Sequence, residues 1–167
     1  IGGISTFLLL SFFIVPLYLP EGSVPKLSGR ANAFDYHSED GWGNQQITEG
    51  ADVGHNQSKY GEFVWSELDP YAAFIYGFGD LNCHTKAERS WEINDNQMPV
   101  CVRDVGIFLG IAIGGFLFSR KGFNRWTIRD TFLSLLPDKS MESVYKNDKR
   151  LLAMFVLIGV AAIPMAI

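Results

Sequence analysis

The chain has 167 residues, 47% of them hydrophobic, a formal charge of −4 and only two cysteines. The acidic balance, with a pI near 5.3, argues against a nucleic-acid binder, which needs a basic face, and two cysteines are too few for a disulfide scaffold. A mean hydropathy of +0.09 suits a soluble domain, but it averages three apolar blocks (1–19, 105–118 and 151–167) with two polar stretches. That segregation predicts a small all-α membrane protein with one large loop.

Residues 1–20 are expected to form the first transmembrane helix. The stretch to Leu19 holds no charge and only Ser5, Thr6 and Ser11 as polar groups, and about 20 apolar residues cross a bilayer. Pro16 and Pro20 mark its far end, with Tyr18 placed as an interfacial aromatic. A signal-peptide core is the rival reading. The cleavage-like triplet Ala31-Asn32-Ala33 lies too far beyond the apolar run to favour it. The chain starts without Met and stops inside an apolar run, so residues missing at both ends are expected.

Residues 21–98 form a long acidic loop, rich in Gly, Ser, Asn and Asp, for which largely irregular structure is expected. Asn56-Gln57-Ser58 is a glycosylation sequon, a triplet common by chance. The aromatic run Pro70–Phe78 is too short and too glycine-rich to span. It is expected to pack on the membrane face or on the helices, and it leads to Cys83-His84. His37 and His55 are expected as solvated loop histidines.

Residues 99–119 are the second expected span, entered at a proline, which suits a first helical turn. Gly106, Gly110 and Gly114 recur every fourth residue along one face, a stripe that lets another helix approach closely. Residues 120–150 are basic. Phe123, Trp126, Ile128, Phe132, Leu133, Leu135 and Leu136 have the pattern of a short amphipathic helix on the membrane surface, with Arg125 and Arg129 on its wetter side and Pro137 ending it. Residues 151–167 are the third expected span.

Charge sets the sidedness. Residues 21–100 carry five basic against thirteen acidic groups, and residues 119–150 carry eight against four. Lys and Arg collect on the cytoplasmic side, most reliably in short loops. The 119–150 segment is therefore expected inside the cell membrane and the acidic loop outside.

Cys83, His84, Cys101 and Asp104 are the candidate site, with Arg89 and Arg103 beside them to hold the loop in place. Cysteine and aspartate at i and i+3 share a helix face. Thiolate, imidazole and carboxylate are zinc ligands, and four would close a tetrahedral shell; copper and iron also accept such donors. Two other readings stand beside the metal: a Cys83–Cys101 disulfide, which an external location permits, and two buried thiols with Asp104 serving as a helix cap or ion-pair partner.

The residues Cys83-His84, Arg89-Ser90 and Gln97-Met98-Pro99-Val100-Cys101-Val102-Arg103-Asp104-Val105-Gly106-Ile107-Phe108-Leu109-Gly110 resemble the signature of an uncharacterised family of prokaryotic membrane proteins, domain of unknown function number 2085. The likeness covers roughly residues 71–118. Ile163-Pro164-Met165-Ala166-Ile167 resembles the start of a later motif. Many members of that family have a third cysteine at the position of Asp104 and a tyrosine at that of Phe108. A Cys-His-Cys-Cys set favours a metal over a lone disulfide, so the resemblance implies zinc while supplying no reaction.

Ionisable groups are absent from the apolar blocks, whereas transporters and channels carry them inside their spans. The expected function is therefore that of a structural or accessory subunit, bound to lipid and to other membrane proteins, with an outer loop pinned by a metal. The alternatives are a metal-dependent enzyme at the outer membrane face, with Asp104 as base or supporting partner, and a thiol redox protein. The wide cysteine spacing disfavours the latter.

Overall fold

The computed structural model describes residues 2–29, 33–44, 57–121, 128–134 and 136–166. His55, Asn56, Phe123, Arg125 and Trp126, which carry several of the expectations above, lie outside that set. The chain is mostly helical: α1 (Gly2–Tyr18), α2 (Pro70–Asn82), α3 (Val102–Lys121), α4 (Ile128–Leu133), α5 (Asp138–Lys146) and α6 (Arg150–Ala166), with a two-stranded hairpin, β1 (Glu92–Ile93) and β2 (Asn96–Gln97). It divides into two compact units, Phe7–Ile107 and a second made of Ile1–Thr6 with Phe108–Ile167.

Val102–Ser119 is long and apolar enough to cross a membrane, and only 11% of it is buried within the chain. A core helix of a soluble protein would be mostly buried, so this helix presents its apolar side chains outward. Gly2–Tyr18 and Arg150–Val160 are apolar but shorter. Both share the outward character. Ser5, Leu8, Phe12, Val15 and Leu19 bury one stripe of the first helical segment at spacings of three and four, while Ile4, Phe7, Leu10, Ile14 and Leu17 stand exposed on its other side. In α6, Leu151, Leu152, Phe155, Val156 and Val160 are likewise exposed. On α3, the helix long and apolar enough to cross, so much uncovered apolar surface suits a hydrocarbon surround.

The stretch between α1 and α3 is more ordered than its composition predicts. Asp69 caps α2, its side chain accepting from the backbone N–H groups of Tyr71 and Ala72, and Pro70 occupies the first turn. This cap and this proline are a helix-start signal that outweighs the glycines at 77 and 79. Ala72, Ile75 and Tyr76 then pack into a core with Val24, Leu27, Tyr36, Phe63, Met98 and Val100.

Backbone in irregular segments needs hydrogen-bond partners when buried, and three buried amides supply them. Asn96 Nδ2 donates to the carbonyls of Pro16 and Pro20, each at 3.0 Å, while its Oδ1 accepts from Val24 N–H at 2.7 Å. Asn94 Nδ2 donates to Leu19 O at 2.9 Å. Two asparagines of the hairpin thus cover carbonyls at and just beyond the end of α1, which its own helix leaves open. Gln97 Oε1 accepts from Leu27 N–H and its Nε2 donates to Thr85 O, both at 2.7 Å. Gln57 bonds the backbone of Lys26, Ser28 and Gly61. The hairpin itself closes on Asn94 and Asp95, both at φ 55°, as a two-residue turn of the type that matches strand twist.

Asp80, at the end of α2, is a buried carboxylate. It accepts from Tyr36 N–H at 3.0 Å and Trp65 Nε1 at 2.9 Å. Burial pushes its carboxyl above the usual range, against the lowering effect of those donors. The same burial pushes the Tyr36 phenol up to about 12.

In the second unit the backbones of Gly2 and Gly115 meet. A methyl carbon added at Gly115 would lie 2.6 Å from Gly2 Cα, so glycine is required there. Within the described part of the basic segment lie two short helices, α4 and α5, and the start of the expected amphipathic stretch, with Phe123, Arg125 and Trp126, lies outside the described residues. Pro137 opens the second: its carbonyl accepts from Ser140 and Met141 N–H. Tyr145 OH on α5 donates to Asp130 Oδ1 on α4 at 2.7 Å.

Gln97→Ala leaves a buried N–H and a buried C=O without partners, at about 1–3 kcal/mol each. It is expected to cost about 2–5 kcal/mol in detergent-solubilised unfolding, whereas Lys26→Ala, which removes an exposed 3.2 Å pair with Glu92, should cost at most about 1 kcal/mol. Because the folded chain holds the Asp80 proton more tightly than the unfolded chain, the stability it contributes is complete below the unfolded carboxyl pKa and declines as pH rises through the folded one. Asp80→Asn should remove that decline from a series of melting temperatures taken across mildly acidic to neutral pH.

Candidate metal centre

Cys83 is the C-cap of α2, its N–H bonded to Gly79 O at 2.7 Å. Cys101 immediately precedes α3, and its carbonyl accepts from Asp104 N–H at 3.0 Å and Val105 N–H at 3.1 Å. The end of one helix and the start of the next are thereby brought together. Gly79 fixes their distance. A methyl group built on it would run into the carbonyl oxygen of Pro99, so α2 seats against the backbone two residues ahead of Cys101 only because residue 79 has no side chain.

The sulfurs of Cys83 and Cys101 and a carboxylate oxygen of Asp104 all lie within 4.8 Å of one another. Both cysteines are free thiols and buried, and Asp104 is half-buried. For metal–sulfur bonds of about 2.3 Å, ligand atoms of a tetrahedral site sit roughly 3.8 Å apart, so small side-chain adjustments would fit an ion between these three groups.

The hydrogen bonds around Cys83 have a direction. Its Sγ accepts from the backbone N–H of Cys101 at 3.2 Å and from the N–H of Thr85. Two N–H donors aimed at one sulfur favour a thiolate. Burial nevertheless dominates and, with the neighbouring Asp104 carboxylate, pushes the Cys83 thiol up to about 12. Without a compensating positive charge the sulfur stays protonated. Cys101 Sγ donates to Asp104 Oδ2 at 3.2 Å. Both groups lie at the N-terminal end of α3, where the helix dipole favours negative charge.

Thr85 reaches Cys83 at a conformational cost. Its φ is 44°, a left-handed value unusual for a β-branched residue. Its Oγ1 is buried without a hydrogen-bond partner among the described residues. Gln97 holds its carbonyl, so the buried amide network maintains the turn that directs Thr85 N–H at the sulfur.

Of the expected site residues, the fold brings Cys83, Cys101 and Asp104 together. It leaves His84 exposed and outside that group; the turn at Thr85 sends adjacent side chains different ways. Arg89 and Arg103 are exposed, and neither has an ion pair or side-chain hydrogen bond among the described residues. A methyl group added at Gly106, Gly110 or Gly114 would meet nothing within 4 Å, and the close glycine approach is made by Gly115 instead. His37 lies against Trp65, ring centroids 4.8 Å apart and planes tilted by 44°. Gly79 and Thr85 carry no sequence signal of a ligand type. The glycine four residues before a helix-ending cysteine was the one available clue.

A family described as "Predicted membrane protein (DUF2085)" matches residues 83–167, just over half of the chain. The chain belongs to this family. The DUF2085 match begins at Cys83 itself, so it takes in the three clustered groups and helices α3 to α6, and leaves out α1 and α2. No curated protein and no solved structure matches the chain.

Gly79→Ala is expected to cost at least about 2 kcal/mol and to expose Cys83 to thiol reagents under native conditions. Gly110→Ala, with open space around it, should leave both the melting temperature and thiol accessibility unchanged.

Proposed function

We propose that this DUF2085 member is a structural or accessory subunit of a membrane complex in which a metal ion, zinc by the character of its ligands, clamps the end of α2 to the start of α3. The observation that carries the reading is the enclosed set of Cys83, Cys101 and Asp104, with two N–H donors already directed at the Cys83 sulfur. A bound cation would compensate the charge that burial otherwise forbids, and two sulfurs with one oxygen suit zinc. The fourth position falls to water, or to His84 after a rotamer change.

In this reading residues 1–20, 99–119 and 151–167 are three spans, 21–98 is the extracytoplasmic loop, and 120–150 is cytoplasmic with its short helices at the membrane surface. The support is the apolar exterior of α1, α3 and α6 and the clustering of basic residues in the shorter connection. Arg89 and Arg103 remain available to fix a partner or headgroup. The open face at Gly106, Gly110 and Gly114 suits a helix from another subunit.

Elemental analysis with thiol counting tests the metal. The purified chain is expected to carry about one zinc, lost in Cys83→Ser and Cys101→Ser. Chelation should lower the stability by about 4 kcal/mol if the ion is held at a thousandfold excess over its dissociation constant. A metal-free chain with two titratable thiols would overturn the proposal in favour of plain buried cysteines. A metal-free chain with none would overturn it in favour of a disulfide. Purification from native membranes without any stoichiometric partner would count against the subunit role.

A further inference from the structure

The apolar surface of this protein does not stop at its long helices. α2 carries no charged residue from Pro70 to Gly79, and Asp80 is turned into the core. Along one face, Phe74 is 56% and Leu81 45% exposed. With Phe34, Trp65 and Phe78 they line a groove of about 410 Å³. We propose that α2 is a membrane-surface helix and that acyl chains of the bilayer cover this face and fill the groove.

Continuity with α1 supports that occupant. Tyr71 OH donates to Ser11 Oγ at 2.6 Å, and Phe12 and Phe78 stack with centroids 6.2 Å apart. Phe78 both packs on α1 and lines the groove, so the groove opens beside the same helix whose Phe7, Leu10, Ile14 and Leu17 are exposed. A surround that wets one with hydrocarbon reaches the other.

The aromatic residues mark the depth. Tyr18 and Tyr71 are stacked, centroids 6.3 Å apart and planes 8° from parallel, and Trp91 leans on Phe13 at 6.2 Å. All three are partly exposed. Amphipathic rings gather at the water–lipid boundary, and here they gather along the part of α1 that α2 packs against. A helix held at that level lies with its apolar face in the headgroup–acyl zone. Its 13 residues are too few to cross.

The test is site-directed spin labelling of the full chain in phosphatidylcholine–phosphatidylglycerol vesicles, at Phe74→Cys and separately at Leu81→Cys. Ile111→Cys on α3 serves as the lipid reference and Glu67→Cys as the water reference, with the signal of the unmutated chain subtracted. Power saturation is expected to show oxygen reaching positions 74 and 81 severalfold better than a water-soluble nickel chelate, as at 111 and opposite to 67. Nickel access at 74 and 81 with oxygen preference at 111 would overturn the proposal and leave the membrane reading intact. Access to neither reagent would overturn it too, by showing that protein covers the face. Nickel access at 111 as well would overturn both. If Phe74→Cys fails to fold, Leu81→Cys carries the test.

Discussion

Everything near the cysteines depends on the side-chain amide of Gln97. It is almost wholly inaccessible and holds two segments of irregular backbone at once, Leu27 through its oxygen and Thr85 through its nitrogen. The backbone carbonyl of Gln97 accepts from Tyr76 OH on α2 at 2.7 Å. A buried polar network of this kind is worth having only when complete, because each orphaned group costs more than a made bond returns. Asn96, its neighbour, does the same for the end of α1. Adjacent residues of one short hairpin therefore set the positions of a helix end, the chain after it and the turn beside Cys83.

From that anchor the geometry of the cluster follows in steps. Gln97 fixes the carbonyl of Thr85, and Thr85, held at a left-handed φ, directs its N–H to Cys83. Gly79 lets α2 settle onto Pro99, and Pro99 is two residues from Cys101. Asp104 lies in the first turn of α3, three residues after Cys101. Only the last of these steps uses ordinary helical spacing. The others rely on a missing side chain, a strained backbone angle and a buried amide, none of which is a metal ligand, and yet each decides whether the ligands meet.

This division explains what could be read in advance. The apolar runs, the family and the meeting of Cys83, Cys101 and Asp104 were legible, because hydrophobic blocks and i, i+3 spacing are local signals. Helix α2 lies inside what composition marks as a loop, although Asp69-Pro70 is a helix-start signal, because its aromatic run reads only as too short and too glycine-rich to span. The role of Asn96 and Gln97 was invisible, since an amide in a polar stretch looks solvated until its distant partners are known. His84 enters the candidate set as an imidazole beside Cys83, but it is exposed and outside the group of three.

The unit that contains the cluster is a single uninterrupted stretch, Phe7–Ile107. Its longest-range bond described above, from Asn96 to Pro16, closes within that stretch. Domains fold as units in the order they emerge. Contacts made within this one stretch therefore suffice to shelter the two sulfurs, whatever α4, α5 and α6 do.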